Sequence, residues 1–234
     1  MKTKMKKVFG IMLSLAMVLG LLPGMILTAY AQTVNIGNVS QDTTLNNGDV
    51  LSGQNSNLKK KIKIAAGAEI TLDNVTLWQY GEYPGIECLG DATIILKSGT
   101  TNTVKATKRG YPGIFVPSGK TLTIKGTGTL NVNGGSNGAG IGAGSYEGNS
   151  TYQNCGNIVI ENGTINATGM NFAAGIGLCG NSPGTCGNIT ITGGTVTATA
   201  EAGTGIGTGS SDRSQQCGNI LIVTIDTLPT PKSH

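Results

Sequence analysis

CGNIVIENGTINATGMNFAAGIGLCGNSPGT (residues 155–185) runs directly into CGNITITGGTVTATAEAGTGIGTGSSDRSQQ (186–216), and CGNI opens a third copy at Cys217. The four residues recur every 31 positions, at Cys155, Cys186 and Cys217. A fixed period of this length marks stacked supersecondary units, each unable to bury its apolar side alone. Inside one unit, Ile, Val and Leu alternate with Thr and Asn. That period of two puts the aliphatic residues on one face of a strand and the polar residues on the other. Three extended pieces are expected in the coil opened by Cys155: 157–160, 164–168 and 174–178. Gly, Asn or Asp turns separate them.

A looser form of the unit runs upstream. Each coil closes on a Gly-Ile pair, at Gly85-Ile86, Gly113-Ile114, Gly140-Ile141, Gly175-Ile176 and Gly205-Ile206. The isoleucines are 28, 27, 35 and 30 residues apart, so insertions fall in loops while the core position is kept. Stacked coils pair each strand with its copy at about 4.8 Å. The five isoleucines then form an internal ladder, and the glycines beside them are expected to supply positive φ at the corners. The expectation is an all-β chain, a right-handed three-faced parallel β-helix of about six coils. The hand follows from the strong preference of parallel crossovers. A β-sandwich would not hold a 31-residue register, and the L-x-x-L-x-L-x-x-N frame of a leucine-rich horseshoe is absent.

Residues 1–31 read as a secretory signal peptide. Lys2, Lys4, Lys6 and Lys7 precede an apolar run over 8–22, and Ala29-Tyr30-Ala31 precedes Gln32 as a cleavage site. The run is short for a membrane span and is followed by Pro23-Gly24, so no stable membrane insertion is expected after cleavage. Residues 32–65 read as an N-terminal cap and first coil, 66–222 as the repeats, and 223–234 as an irregular tail. The whole chain holds 16 Lys and Arg against 12 Asp and Glu. The leader takes four lysines and no acid, which leaves the remainder balanced. A neutral remainder excludes a nucleic-acid partner recognised through net charge. The open solenoid end leaves end-to-end self-association as a possible mode.

The five cysteines are Cys88, Cys155, Cys179, Cys186 and Cys217. Three share one coil position, which fits a column of small half-buried residues. Cys179 and Cys186 flank a short Gly/Pro loop and are the expected pair if any disulfide forms. There is no C-x-x-C, and the one histidine is His234, so no metal site is expected. Glycoside hydrolysis needs two carboxylates at a set separation. The acids here are scattered, and no Ser or Cys nucleophile motif stands out. No catalytic residue is assigned.

The aromatic residues cluster. Trp78, Tyr80 and Tyr83 are expected in one loop, and Tyr83-Pro84-Gly85-Ile86 recurs as Tyr111-Pro112-Gly113-Ile114. Stacking sets Tyr83 beside Tyr111, with Trp78, Tyr80, Glu82, Lys108 and Arg109 nearby. An aromatic strip with polar flanks suits a sugar ring; the competing reading is that the tyrosines cover the core. Tyr146 and Tyr152 in the next long loop favour the binding reading.

LDNVTL (72–77), PGIECLGDATIILKSGTTNTV (84–104) and PGIFVPSGKTLTIKGTGTLNVNG (112–134) resemble the secreted bacterial carbohydrate-binding β-helix domain family, similar in shape to pectate lyases. The CGNITITGGTVTATA…GIG units resemble Gly-rich, adhesin-like repeats of large surface proteins of Gram-positive gut bacteria. The resemblance spans about residues 66 to 222. It implies an extracellular, non-catalytic module that binds cell-wall or host polysaccharide. The alternatives are a polysaccharide lyase or glycoside hydrolase of pectate-lyase-like fold, and a structural spacer. The binder family carries an acid before many Gly-Ile corners, which implies calcium. Here those positions are Pro84, Pro112, Ala139, Ala174 and Thr204, so no cofactor is expected.

Overall fold

The computed structural model describes residues 30–144, 154–211 and 214–223. The leader, Tyr146 and Tyr152, and the tail beyond 223 lie outside the described residues. Coil one holds β1 (Thr33–Asn35), a 3-10 turn over Ile36–Asn38 and β2 (Thr43–Leu45). Coil two holds β3 (Val50–Leu58) and β4 (Ile62–Ile64), and coil three β5 (Ala68–Gln79) and β6 (Ile86–Cys88). Coil four holds β7 (Ala92–Leu96), β8 (Thr101–Ala106) and β9 (Ile114–Phe115). Coil five holds β10 (Thr121–Gly126), β11 (Thr129–Ser136) and β12 (Ile141–Gly142). Coil six holds β13 (Asn157–Ile160), β14 (Thr164–Met170) and β15 (Ile176–Gly177). After β16 (Gly184–Cys186), coil seven holds β17 (Ile189–Ile191), β18 (Thr195–Ala200) and β19 (Ile206–Gly207). Then β20 (Gln215–Cys217) leads into β21 (Ile220–Ile222), which opens an eighth coil.

Every strand pairing among the described residues is parallel, and they form a three-faced β-helix. Face A stacks β7, β10, β13, β17 and β21; face B stacks β8, β11, β14 and β18; face C stacks β2, β4, β6, β9, β12, β15 and β19. Faces A and B merge into one sheet because β3 and β5 run straight through the corner. Residues 68–72 of β5 pair with β7 on face A, and 76–79 pair with β8 on face B. The turn inside β5 falls at Asn74, whose φ is 54°. Asn reaches that left-handed conformation more cheaply than most side chains.

Two of the seven coils come from residues 33–64, where a cap and one coil were expected. Both are in register with the rest: Leu51 pairs with Leu72, and Ile64 with Cys88. The ladder of Gly-Ile isoleucines is present. Ile86, Ile114, Ile141 and Ile176 pair in sequence and are fully buried, and Ile206 continues the column. On face A, Ile70, Ile94, Ile124, Ile160, Ile191 and Ile222 form a second column. Its last member, Ile222, is 54% exposed.

The glycines before those isoleucines do not take positive φ, contrary to expectation. Their role is close approach. A Cβ on Gly85 would come within 2.5 Å of the Gly113 carbonyl oxygen and 2.6 Å of a Val104 methyl. Gly113 and Gly140 meet the next coil in the same way. The left-handed backbone belongs to other residues, such as Asn74 and Gly163 at the corner between faces A and B.

Candidate functional site

Face B positions the outward side chains. Its strands alternate inward aliphatic and outward polar residues, as in the TINATGM of β14. Register then fixes what stands beside what. Trp78, Lys105, Asn133, Thr168 and Thr199 form one outward column, one residue per coil from three to seven. Thr76, Thr103, Asn131, Asn166 and Thr197 form the next. Side chains bond between coils along these columns. The Asn166 amide donates to Asn131 Oδ1 at 2.8 Å, and the Thr168 and Thr199 hydroxyls lie 3.2 Å apart. By strand geometry the array repeats at about 4.8 Å across coils and about 6.8 Å along each strand.

Trp78 heads this array. Its ring is partly open to solvent, 37% exposed, with Lys105 Nζ 5.4 Å from the ring centroid. That cation lies within the distance at which a ring face attracts it. Tyr80 follows the end of β5 and is also exposed, with its backbone N–H donating to the Leu58 carbonyl at 2.7 Å. Glu82, Lys108 and Arg109 are exposed in the turns beyond β5 and β8.

The rest of the expected strip comes apart. Tyr83 is half-buried, with Lys61 Nζ 4.9 Å from its ring centroid. Tyr111 is 4% exposed and packs with Ala106 and Phe115 in a small separate cluster. The two Tyr-Pro-Gly-Ile segments are in register as expected, since Gly85 N–H bonds the Pro112 carbonyl. Coil five, however, closes over Tyr111: the Gly135 N–H donates to the Tyr111 carbonyl at 2.9 Å. Tyr111 therefore leaves the candidate surface. Lys105 and the Asn/Thr columns join it. Their signal was the i, i+2 polar alternation, which could be tied to Trp78 only once register was known.

Six of the carboxylates are engaged in holding the coils. Asp49 is buried and accepts from the Gln32 and Asn46 backbone N–H groups. Asp42 accepts from Lys61 N–H, Asp91 from Thr121 N–H and Glu201 from Asn171 N–H. Asp73 pairs with Lys97 at 2.6 Å, and Glu69 with Lys125 at 2.7 Å. The hydrogen bond that Lys125 donates to the Glu69 carboxylate holds its ammonium above its ordinary pKa. Among the described residues no group of three or more His, Cys, Asp or Glu is placed to hold a metal. Asp212 and Arg213, an acid and a base adjacent in sequence, lie outside the described residues.

Cys155, Cys186 and Cys217 stack in the expected column. Cys179 and Cys186, the pair expected if any disulfide forms, are both free thiols. Cys186 instead faces Cys155, with the two Sγ atoms 2.6 Å apart. In-register stacking, not the Gly/Pro loop, decides its neighbour. Burial pushes the Cys179 thiol up to about 12.

Residues 122–145, 158–178 and 189–210 match the family model described as a beta helix repeat. Each match covers one coil, from a face A strand to just past a face C strand. The matched coils are five, six and seven, so Trp78 and Tyr80 sit on coils the model does not reach. No curated protein matches the chain, and no solved structure does. Among the described residues, no helix is long and apolar enough to cross a membrane.

Proposed function

We propose that the chain is an extracellular, non-catalytic carbohydrate-binding or adhesin-like β-helix module that holds a polysaccharide on the outer surface of face B. One observation carries the reading. Trp78 stands at the head of a straight outward column continued by Lys105, Asn133, Thr168 and Thr199. A sugar ring stacks its C–H face on an indole, while amides and hydroxyls in the same plane take its hydroxyl groups. The columns extend roughly 19 Å over four coil spacings, the length of several linked sugar rings. Residues 1–31 support export. Engagement of Asp42, Asp49, Asp73 and Glu69 within the scaffold favours binding over hydrolysis.

Affinity electrophoresis through gels of neutral and anionic cell-wall polysaccharides tests the reading. The wild-type protein should be retarded by at least one of them. Trp78→Ala should weaken that retardation by at least about tenfold in Kd, as for a truncated aromatic anchor. The thermal midpoint should barely move, because the side chain is partly exposed and outside the core. Equal retardation of Trp78→Ala and wild type would remove this surface. Release of unsaturated or reducing ends would revive the lyase or hydrolase reading, and no response to any glycan would leave the spacer.

A further inference from the structure

Cys155, Cys186 and Cys217 stand one above another at the edge of coils six to eight. Cys155 and Cys186 form a parallel bridge, and Cys186 pairs with Cys217 between β16 and β20. Stacked strands hold paired Cα atoms about 4.8 Å apart, inside the span a disulfide tolerates. The Cys155 and Cys186 sulfurs, 2.6 Å apart, must close by only about half an ångström to bond. Access falls along the column. Cys155 and Cys186 are buried at 2% and 7% exposure, while Cys217 is half-buried. An external oxidant therefore meets Cys217 first. Cys88 and Cys179 are buried outside this column.

We propose that the column is a thiol relay: a low-molecular-weight disulfide reacts at Cys217, and the bond passes inward to join Cys155 to Cys186, clipping coil six to coil seven. Three exchanges complete it, each the attack of a thiolate on a disulfide sulfur. Cys217 gives its proton to solvent and attacks the small disulfide; one small thiolate leaves, takes a proton, and a mixed disulfide remains on Cys217. Cys186, deprotonated in turn, attacks the Cys217 sulfur and releases the second small thiolate. Cys155 attacks the Cys186 sulfur, and Cys217 leaves as a thiolate and is reprotonated. In sum, Cys155 and Cys186 lose two electrons and two protons, and the small disulfide becomes two thiols.

The hydrogen bond to Cys155 pushes the Cys186 thiol up most; a bond to Cys217 pulls it down, and burial adds a lesser push up. Cys217 is pushed up by its bond to Cys186 and then by burial. Thiolates are scarce near neutrality, so the relay should quicken as pH rises.

The test incubates the folded protein with oxidised glutathione at about pH 8.5. Acid quenching, alkylation under denaturation and peptide mapping by mass spectrometry follow. The wild type should yield a Cys155–Cys186 disulfide, with Cys88 and Cys179 alkylated. Cys155→Ser should stop at Cys186–Cys217. Cys186→Ser should carry glutathione on Cys217 and no protein disulfide. Cys217→Ser should form Cys155–Cys186 at least about tenfold more slowly, because its entry point is gone. Circular dichroism checks that each variant remains folded. Five alkylated thiols in the wild type would overturn the clip. A Cys217→Ser variant that oxidises at the wild-type rate would overturn the relay.

Discussion

Gly177→Val should lower stability by about 3–5 kcal/mol, among the largest costs a single substitution imposes. Gly177 ends β15 on face C with φ at 132°, a backbone that side chains rarely adopt. A Cβ there would collide with the carbonyl oxygen of Gly207, its partner on the next coil. The clash is with main chain, so no rotamer change relieves it, and coils six and seven must part. Gly142 meets Gly177 in the same manner, so in coils five and six only hydrogen fits at this position. Gly99→Ala separates the two causes. Gly99 has φ at 72°, yet a Cβ would find nothing within 4 Å. It should cost only about 1–2 kcal/mol, the price of the left-handed backbone alone. Urea midpoints of the three proteins decide it. A Gly177→Val loss no larger than that of Gly99→Ala would mean that the coils yield at face C.

Those glycines also show where sequence reading runs out. Gly-Ile pairs located the inward isoleucine of face C in coils three to seven. They did not reveal why glycine precedes it, because positive φ and close approach both demand the same residue. Residues 33–64 hid their coils for a related reason. Their face C strands lack the Gly-Ile pair and fill the core with Leu45 and Ile64 instead. The strict 31-residue period had no such ambiguity. It fixed which cysteines stack, although it could not say that two sulfurs would meet.

The candidate site was legible in register but not in exposure. Trp78, expected in a loop with Tyr80 and Tyr83, lies on strand β5, where alternation with the buried Leu77 and Gln79 turns it outward. Repetition of Tyr-Pro-Gly-Ile predicts correctly that Tyr83 and Tyr111 share a register. Whether a side chain at that corner sees water depends on the loop of the following coil, and loop lengths vary. Tyr111 is covered because Gly135 brings the backbone of coil five onto it. The partners of Trp78 required register across the unequal spacings, which strand pairing supplies.

Asn102→Leu should destabilise the protein by about 2–4 kcal/mol, although sequence pattern alone argues the reverse. Asn102 is fully buried on β8, and its neighbours along the inward column of face B are Leu130, Ile165 and Val196. Leucine is thus what the repeat places one coil later. The amide does something an aliphatic chain cannot. Its Oδ1 accepts from the Val75 backbone N–H at 3.0 Å, just past the Asn74 corner. Its Nδ2 donates to the Thr129 carbonyl at 3.2 Å and to the Thr100 hydroxyl at 3.3 Å. One side chain therefore joins main chain 27 residues behind it to main chain 27 residues ahead. Coil five needs no such link, because the Gly128 and Thr129 N–H groups reach the Leu96 and Thr100 carbonyls directly. Leucine at 102 would leave a buried donor and a buried acceptor unpaired, which outweighs the apolar surface gained. Asn102→Asp keeps the acceptor for Val75 but sets a carboxylate against the Thr129 carbonyl, so it should also destabilise. Urea denaturation followed by far-ultraviolet circular dichroism measures both. A leucine variant as stable as wild type would show that the corner at Asn74 closes without the amide.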